Sequence, residues 1–176
     1  MEKVIRAMPI VMMLILSGSF SSVQEDKKIN WLTPEEAEAR SRTDPRPILI
    51  DLYTDWCGWC KVMDKKTYTR TGLIDYVNTH FHAVRLNAET RDPVKWGSKV
   101  FSYNAQAKVN QFALDITQGQ LAFPTTVIIP KDGAQPQSVA GYLETKDMEL
   151  LLKYFGEGMY GKVAFDDFQK KFSPSW

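Results

Sequence analysis

Four short segments of the chain have the hydrophobic pattern of β-strands. Residues 48–54 and 125–130 are apolar and β-branched runs, and residues 81–87 alternate between apolar and polar positions. A turn with a hairpin signature leads from the run at 125–130 to a returning strand at 138–142. Pro136 places this hairpin towards the sheet edge, because proline cannot donate a hydrogen bond to a neighbouring strand.

Helical spacing of apolar residues predicts the remaining regular structure. The first helix begins at Thr33 with a cap, a proline at the first helical position and Glu36 three residues after the cap. The last helix is amphipathic, and we expect it to dock on its own domain. The predicted helices cover 33–43, 60–66, 73–78, 104–116, 145–155 and 159–172.

Residues 88–121 form a long connection whose first half is polar and mixed. Pro93 and Gly97 interrupt it, while Trp96, Val100 and Phe101 provide apolar anchors. It is either a lid that grips substrate or a structural insertion packed on the sheet edge. We favour the structural interpretation, because ordered insertions with apolar anchors usually bury them.

The N-terminal residues 1–22 have the pattern of a cleaved secretory signal peptide. Two basic residues precede an apolar run at 7–16, and small residues follow. The run is shorter than the ~20 residues that span a bilayer, so an uncleaved membrane anchor is the weaker alternative. We therefore expect a periplasmic or secreted domain over 23–176, in a compartment where disulfides persist.

The mature chain is long enough for one domain with a proper core, which we expect over 30–157 with a C-terminal extension over 158–176. The 22 basic and 21 acidic residues nearly balance, and no basic stripe with interleaved aromatics is present, so nucleic acid is not an expected partner. His80 and His82 are expected on one face of the strand predicted at 81–87, but two histidines without ligand spacing do not predict a metal site. The oligomeric state is open, and a monomer is assumed.

Both cysteines lie where the first strand passes into a helix, in the run Cys57-Gly58-Trp59-Cys60. Two residues between two thiols allow a small disulfide ring to close. Cys57 would lie at the helix N-terminus, where unpaired N–H groups stabilise a thiolate and lower the thiol pKa, so it is the candidate nucleophile. Cys60, one turn further in and less exposed, is the candidate resolving thiol.

Three functions are compatible with this pair. The first is an exported thiol-disulfide oxidoreductase. The second is a peptide-binding or chaperone module whose affinity for peptides depends on the redox state of the cysteine pair. The third is a structural staple, which is the weakest because a four-residue loop constrains the unfolded chain little.

Residues 51–61 resemble the thioredoxin superfamily, whose active site is a Trp-Cys-x-x-Cys-Lys run after a strand carrying a buried acid. The stretch looks closest to the periplasmic branch, including the C-terminal domain of the transmembrane thiol-disulfide interchange proteins. Residues 123–129 resemble the cis-proline loop of the superfamily. The resemblance covers most of 45–155 and implies an α/β, thioredoxin-like fold with a central mixed sheet flanked by helices. An insertion would precede the cis-proline loop, and a C-terminal helical extension would follow.

The resemblance also implies roles for individual residues. Cys57 and Cys60 match the redox pair, and Asp51 matches the buried acid that relays a proton to or from the resolving cysteine. Pro124 matches the cis-proline that faces the disulfide, and the backbone of Phe123 would pair with an extended substrate. The residues expected to contact substrate are Trp56, Gly58, Trp59, Phe123 and Pro124.

Two departures from the superfamily pattern affect what can be carried over. Gly58-Trp59 replaces the Gly-Pro of thioredoxin, so the reduction potential does not transfer. Arg85 stands where a lysine is usual, and it can hold Asp51 charged but cannot share in proton relay. The expected activity is reduction of protein disulfides, with isomerisation or oxidation as alternatives. Its partners would be protein thiols and disulfides and a membrane electron donor, with no cofactor beyond the Cys57–Cys60 disulfide.

Overall fold

The computed structural model describes residues 27–131 and 133–176, and the predicted signal peptide lies outside them. In chain order the elements are α1 (Pro34–Ser41), β1 (Ile48–Tyr53), α2 (Gly58–Lys66), α3 (Thr71–His80), β2 (His82–Asn87), β3 (Val94–Trp96), β4 (Lys99–Phe101), β5 (Tyr103–Asn104), β6 (Val109–Asn110), α4 (Gln111–Ile116), β7 (Thr125–Ile129), β8 (Gln137–Ala140), α5 (Thr145–Gly156) and α6 (Phe165–Lys171).

The central sheet has four strands in the order β2-β1-β7-β8. β1 pairs in parallel with β2 and antiparallel with β7, and β8 returns antiparallel to β7 at the sheet edge. The predicted α/β class with a mixed sheet flanked by helices is therefore confirmed. Pro136 precedes the edge strand, as its inability to donate a ladder hydrogen bond requires.

Alternating side chains of the sheet enter two separate cores, because successive residues of a strand point to opposite faces. Leu49 belongs to the core that α3 and α5 cover, together with Met63 and Leu152. Ile50 belongs to the opposite core, where Phe112 of α4 is its largest fully buried member. Asp51, one residue after Ile50, therefore lies on the same face of the sheet as Leu49.

The insertion differs from the sequence prediction, because a helix over 104–116 was expected and α4 covers only its second half. Two small hairpins, β3–β4 and β5–β6, precede α4. The Asn104 side chain accepts hydrogen bonds from the N–H groups of Gln106 and Ala107, and Lys108 adopts a left-handed φ of 59°. These local interactions turn the chain where the apolar spacing alone predicted a helix.

Aromatic contacts anchor the insertion on the sheet. The rings of Trp96 and Phe101 lie 5.2 and 5.3 Å from the ring of Phe112. Phe112 is buried in the core on the α4 side of the sheet. This packing favours the structural interpretation of residues 88–121 over a lid.

The predicted final helix is also shorter than expected, because α6 begins only at Phe165. Gly158 and Gly161 have left-handed φ angles of 68° and 76°, which a right-handed helix through this segment does not allow. The extension docks on its own domain, as predicted: Phe165 and Phe168 contact the Tyr154 ring of α5 at 5.2 and 5.4 Å.

The C-terminal tail is fastened by a buried carboxylate. Glu149 of α5 accepts hydrogen bonds from the Ser175 and Trp176 N–H groups. It also forms an ion pair with Lys153, whose Nζ lies 2.8 Å from Glu149 Oε1. Burial opposes ionisation of Glu149, but these donors together hold its pKa below the usual range. Trp176 packs against Gly72, where a Cβ would lie 2.7 Å from the indole ring.

The two histidines do not share a strand face, contrary to the sequence interpretation. His80 is the last residue of α3 and lies on the Tyr76 ring at 4.2 Å, whereas His82 begins β2 and is buried, with Nε2 2.9 Å from the Asp44 carbonyl oxygen. Across the described ranges, no group of three or more metal-ligating side chains occurs. No helix within them is long and apolar enough to cross a membrane.

Candidate active site

Cys57 and Cys60 form a disulfide at the N-terminus of α2, with their Cα atoms 5.3 Å apart. Cys57 is itself the N-cap residue, with extended backbone, and its Sγ accepts the Cys60 N–H at 3.0 Å. The Thr54 carbonyl, just after β1, accepts the Cys57 N–H and turns the chain into the helix. After reduction, the same N–H group and the helix dipole would stabilise a thiolate at Cys57.

The predicted difference in exposure between the two cysteines is wrong for this oxidised form. Each side chain is only 3% exposed. The disulfide bond ties the two sulfurs together, so they share one environment. An unequal role for the two cysteines therefore depends on their positions relative to the helix N-terminus rather than on exposure.

The two tryptophans next to the cysteines each contact a second aromatic ring, and we call these four side chains, Trp56, Trp59, Phe123 and Tyr142, the aromatic rim. Trp56 and Trp59 lie on either side of Cys57-Gly58 in the chain and are 66% and 61% exposed. The Trp56 ring lies edge-on to Phe123 at 5.9 Å, and Trp59 is tilted against Tyr142 at 5.5 Å. Exposed aromatic groups of this size beside a reactive centre form an apolar contact surface.

A side-chain hydrogen bond connects Trp56 to the start of the insertion. Trp56 Nε1 donates to Glu89 Oε1 at 3.0 Å, and Glu89 follows β2 at the start of the insertion. The sequence did not indicate Glu89, because the two partners lie 33 positions apart in the chain.

The peptide bond between Phe123 and Pro124 is cis, and the Trp56–Phe123 contact brings this loop beside the cysteine pair. The Pro124 carbonyl accepts the Gly141 N–H at 2.8 Å, which ties the loop to the end of β8. Within the described part of the chain, the N–H and carbonyl of Phe123 make no hydrogen bond. That backbone is therefore available to an extended partner.

Asp51 is buried in the middle of β1, opposite Arg85 on β2 and Thr126 on β7. Burial raises the pKa of Asp51 to about 7, although the nearby charge of Arg85 lowers it. The expectation that Arg85 holds Asp51 charged is thus only partly met. Asp51 would exchange its proton close to neutral pH, as an acid or base in catalysis must.

Two further polar residues belong to this region and were not found from the sequence. Asp64 lies four residues after Cys60 in α2 and receives the shortest contact of Arg85, from Nη2 at 2.6 Å. The spacing of four on one helix face was an available signal. Tyr68 is buried near Asp51, and no local pattern marks it.

The mixed sheet, the Cys57–Cys60 disulfide at a helix N-terminus and the neighbouring cis-proline loop define a thioredoxin-superfamily protein of the thiol-disulfide oxidoreductase type. Within this class, the chain belongs to the family Thioredox_DsbH, described as "Protein of unknown function, DUF255", whose model matches residues 16–155. The resemblance predicted from residues 51–61 is confirmed.

The curated protein disulfide-isomerase of Humicola insolens is 29% identical over 124 residues. That alignment covers 70% of this chain but 20% of the isomerase, so the chain spans about a fifth of its relative's length. It is therefore comparable with one part of that relative only.

Solved structures show the same fold. A thioredoxin-fold protein from Helicobacter pylori is 20% identical, with 84% of this chain and 85% of that chain covered and a TM-score of 0.57. A DsbH oxidoreductase is 21% identical, with 74% and 86% covered and a TM-score of 0.53. A putative disulphide-isomerase from Bacteroides thetaiotaomicron is 23% identical, with 79% and 99% covered and a TM-score of 0.52.

Proposed function

We propose that the protein is an exported thiol-disulfide oxidoreductase that reduces disulfides of other proteins at Cys57 and Cys60. The observation that carries this proposal is the position of Cys57 Sγ, which caps α2 and accepts the Cys60 N–H beside the cis-proline loop. A sulfur in that position is stabilised as a thiolate, which is the attacking form in disulfide exchange. Isomerisation uses the same first step.

In the reduced protein, the Cys57 thiolate attacks one sulfur of a substrate disulfide and forms a mixed disulfide. The other substrate sulfur leaves as a thiolate and takes up a proton. Cys60 then loses its proton to the Asp51 carboxylate and attacks Cys57, which releases the second substrate thiolate. Two electrons pass to the substrate, and the Cys57–Cys60 disulfide is left for a thiol donor, proposed to be membrane-bound, to reduce.

The aromatic rim supports a polypeptide as the substrate. Trp56 and Trp59 offer apolar contact on both sides of the disulfide, and the free backbone of Phe123 suits an extended chain. Export is supported by the signal-like pattern of residues 1–22.

The test is reduction of insulin by the wild type and by the Cys57→Ser and Cys60→Ser variants. We expect turnover to be lost in both variants and a trapped mixed disulfide to accumulate only in Cys60→Ser. Wild-type protein that fails to reduce insulin or any other protein disulfide would contradict the proposal. The potential of the pair decides direction: a value near that of thioredoxin, about −270 mV, supports a reductase, and one near about −120 mV supports an oxidase.

A redox-gated peptide-binding module is the second candidate, and the exposure of Trp56 and Trp59 is the observation that favours it. Peptide binding that survives both cysteine substitutions, together with absent turnover in the wild type, would support this function instead.

A further inference from the structure

The two tryptophans next to the cysteines are held in different ways. Trp56 is fixed from two sides, because its Nε1 donates to Glu89 Oε1 at 3.0 Å and its ring lies edge-on to Phe123 at 5.9 Å. Trp59 packs on the ring of Tyr142 at 5.5 Å, and within the described ranges its side chain makes no hydrogen bond. Ring packing therefore has to hold the Trp59 indole, which a substrate side chain can shift without breaking a hydrogen bond.

Tyr142 is anchored on both sides along the chain. The N–H of Gly141 donates to the Pro124 carbonyl at 2.8 Å, which ties this segment to the cis-proline loop. The carbonyl of Leu143 accepts the hydroxyl of Thr67, the C-cap residue of α2, at 2.8 Å. The Tyr142 ring is partly buried against the core that α3 and α5 cover. Tyr142 thus presents a fixed ring to the more weakly held Trp59.

Tyr142 also has polar groups that are left for a partner. Its N–H, carbonyl and hydroxyl make no hydrogen bond with any other described residue, and the hydroxyl is not enclosed. The Gly141–Pro124 hydrogen bond continues the β7–β8 register by one position, so Tyr142 and Phe123 lie just beyond it on the two chain segments. Both residues present an aromatic ring and an unpaired backbone there. A ring with an apolar body and a polar end in water is typical of tyrosines that contact a partner.

We propose that Tyr142 and Trp59 form a specificity site for a large apolar or aromatic side chain beside the cysteine of a substrate disulfide. The site rests on the function proposed above and narrows its substrates to polypeptide disulfides flanked by such residues. Trp59 is bonded to Cys60, one helical turn from Cys57, so the pair lies within reach of the residue next to a cysteine bonded to Cys57. A substrate ring can take the offset or edge-on geometry that aromatic pairs prefer. Tyr142 acts on binding and takes no part in electron transfer.

The first measurement compares two tripeptide disulfides as substrates of the reduced protein. Each is a disulfide-linked dimer, one of acetyl-phenylalanyl-cysteinyl-phenylalanine amide and one with alanine in place of both phenylalanines. One turnover yields two peptide thiols and the Cys57–Cys60 disulfide, so two electrons and two protons pass to the peptide. The quantity measured is the ratio of the second-order rate constants for the two dimers. A general loss of folding or of thiol reactivity slows both dimers and leaves this ratio unchanged.

We expect the wild type to prefer the phenylalanine dimer about tenfold, as for one well-packed aromatic contact at a binding site. Tyr142→Ala should reduce this preference to about twofold, because the anchored ring is lost, whereas Tyr142→Phe should keep most of it. Tyr103→Ala is the matched control, since Tyr103 is also a partly buried tyrosine but lies beside Arg91 in the insertion. A wild type without preference, or a preference that survives in Tyr142→Ala, would overturn the proposal.

The second measurement locates the substrate rings in a trapped complex. In Cys60→Ser, the Cys57 thiolate attacks the phenylalanine peptide activated as its mixed disulfide with thionitrobenzoate, which leaves as the thiolate, and the new mixed disulfide is not resolved. We expect nuclear Overhauser effects between the peptide rings and the rings of Tyr142 and Trp59. Effects confined to the other two rings of the aromatic rim, or absent from the rim, would overturn the proposal.

The trap forms without turnover of protein substrates, so failure of the specificity site and failure of the proposed function can be told apart. A wild type that reduces no protein disulfide would end the proposed function. The Overhauser effects in the trapped complex would still decide whether Tyr142 and Trp59 receive the side chain.

Discussion

Arg85 Nε lies 3.5 Å from Asp51 Oδ2, although the two residues are directly paired on neighbouring strands. The opposite end of the guanidinium is closer to Asp64, at 2.6 Å, and its face lies 4.6 Å from the Tyr53 ring centroid. Arg85 thus shares its charge among several groups. Desolvation consequently dominates the pKa of Asp51, which lies at about 7.

Asp51→Asn should stabilise the protein, and the gain should depend on pH. The pKa of Asp51 rises from 3.8 to about 7 on folding, so the folded state binds its proton more tightly. Stability then falls as pH rises from about 4 to about 7, by up to about 4 kcal/mol. Urea unfolding of the oxidised protein should show a large gain for Asp51→Asn at pH 8 and little gain at pH 4. Asp75→Asn, which alters an exposed ion pair, is the control, and a gain independent of pH would contradict the assignment.

Arg85→Gln should raise the pKa of Asp51 above about 7. The Arg85 charge lowers this pKa against the effect of burial, so its removal leaves desolvation less opposed, by about one pH unit. A carbon-13 titration of the carboxyl measures the change. Arg91→Gln serves as control, because Arg91 lies over Tyr103 rather than near Asp51. A lowered or unchanged Asp51 midpoint in Arg85→Gln would refute the prediction.

Trp59→Ala should weaken the use of protein substrates while sparing small disulfides. Loss of an exposed aromatic contact should raise KM for insulin about fivefold to tenfold, as for a contact worth about 1 kcal/mol. Reduction of glutathione disulfide should be nearly unchanged. Val100→Ala removes an equally exposed apolar side chain from β4 and should change neither. Equal losses on both substrates would mean that Trp59 acts on the cysteines rather than on the substrate.

Glu149→Gln should destabilise the protein by about 2–3 kcal/mol at pH 7, because it removes a charged acceptor of several buried donors. The pKa of Glu149 is lowered on folding, so its contribution is present above its unfolded value and is lost as pH falls below that value. The difference between variant and wild type should therefore shrink at pH 3. Denaturant unfolding at both pH values measures it, with Asp167→Asn in the exposed pair with Lys170 as control.

Much of the fold could be predicted from the sequence because its signals are local. The capping box at Thr33 and the apolar run of β1 each act within a few residues, and the structure has both. The helix predicted over 104–116 failed for a local reason as well, since the Asn104 side chain competes for backbone N–H groups that a helix would use. The spacing of apolar residues does not report that competition.

The candidate site also contains residues that local spacing predicts and residues that only tertiary packing brings together. Cys57 and Cys60 lie within one helical turn, so their spacing alone brings them together. Tyr68 and Glu89 reach Asp51 and Trp56 only because packing of the sheet, α2 and the insertion brings them there. The raised pKa of Asp51 likewise depends on how completely the assembled core excludes water. No pattern within a short window carries that information.

The sheet ends at β8, and among residues 27–131 and 133–176 no strand pairs with its outer side. An open strand edge of this kind is a template on which another chain can add and begin to aggregate. Here the strand has only four residues, and Pro130 and Pro136 bracket the connection that leads to it. A strand this short offers another chain few backbone groups to pair with, so the β8 edge is a poor template for aggregation.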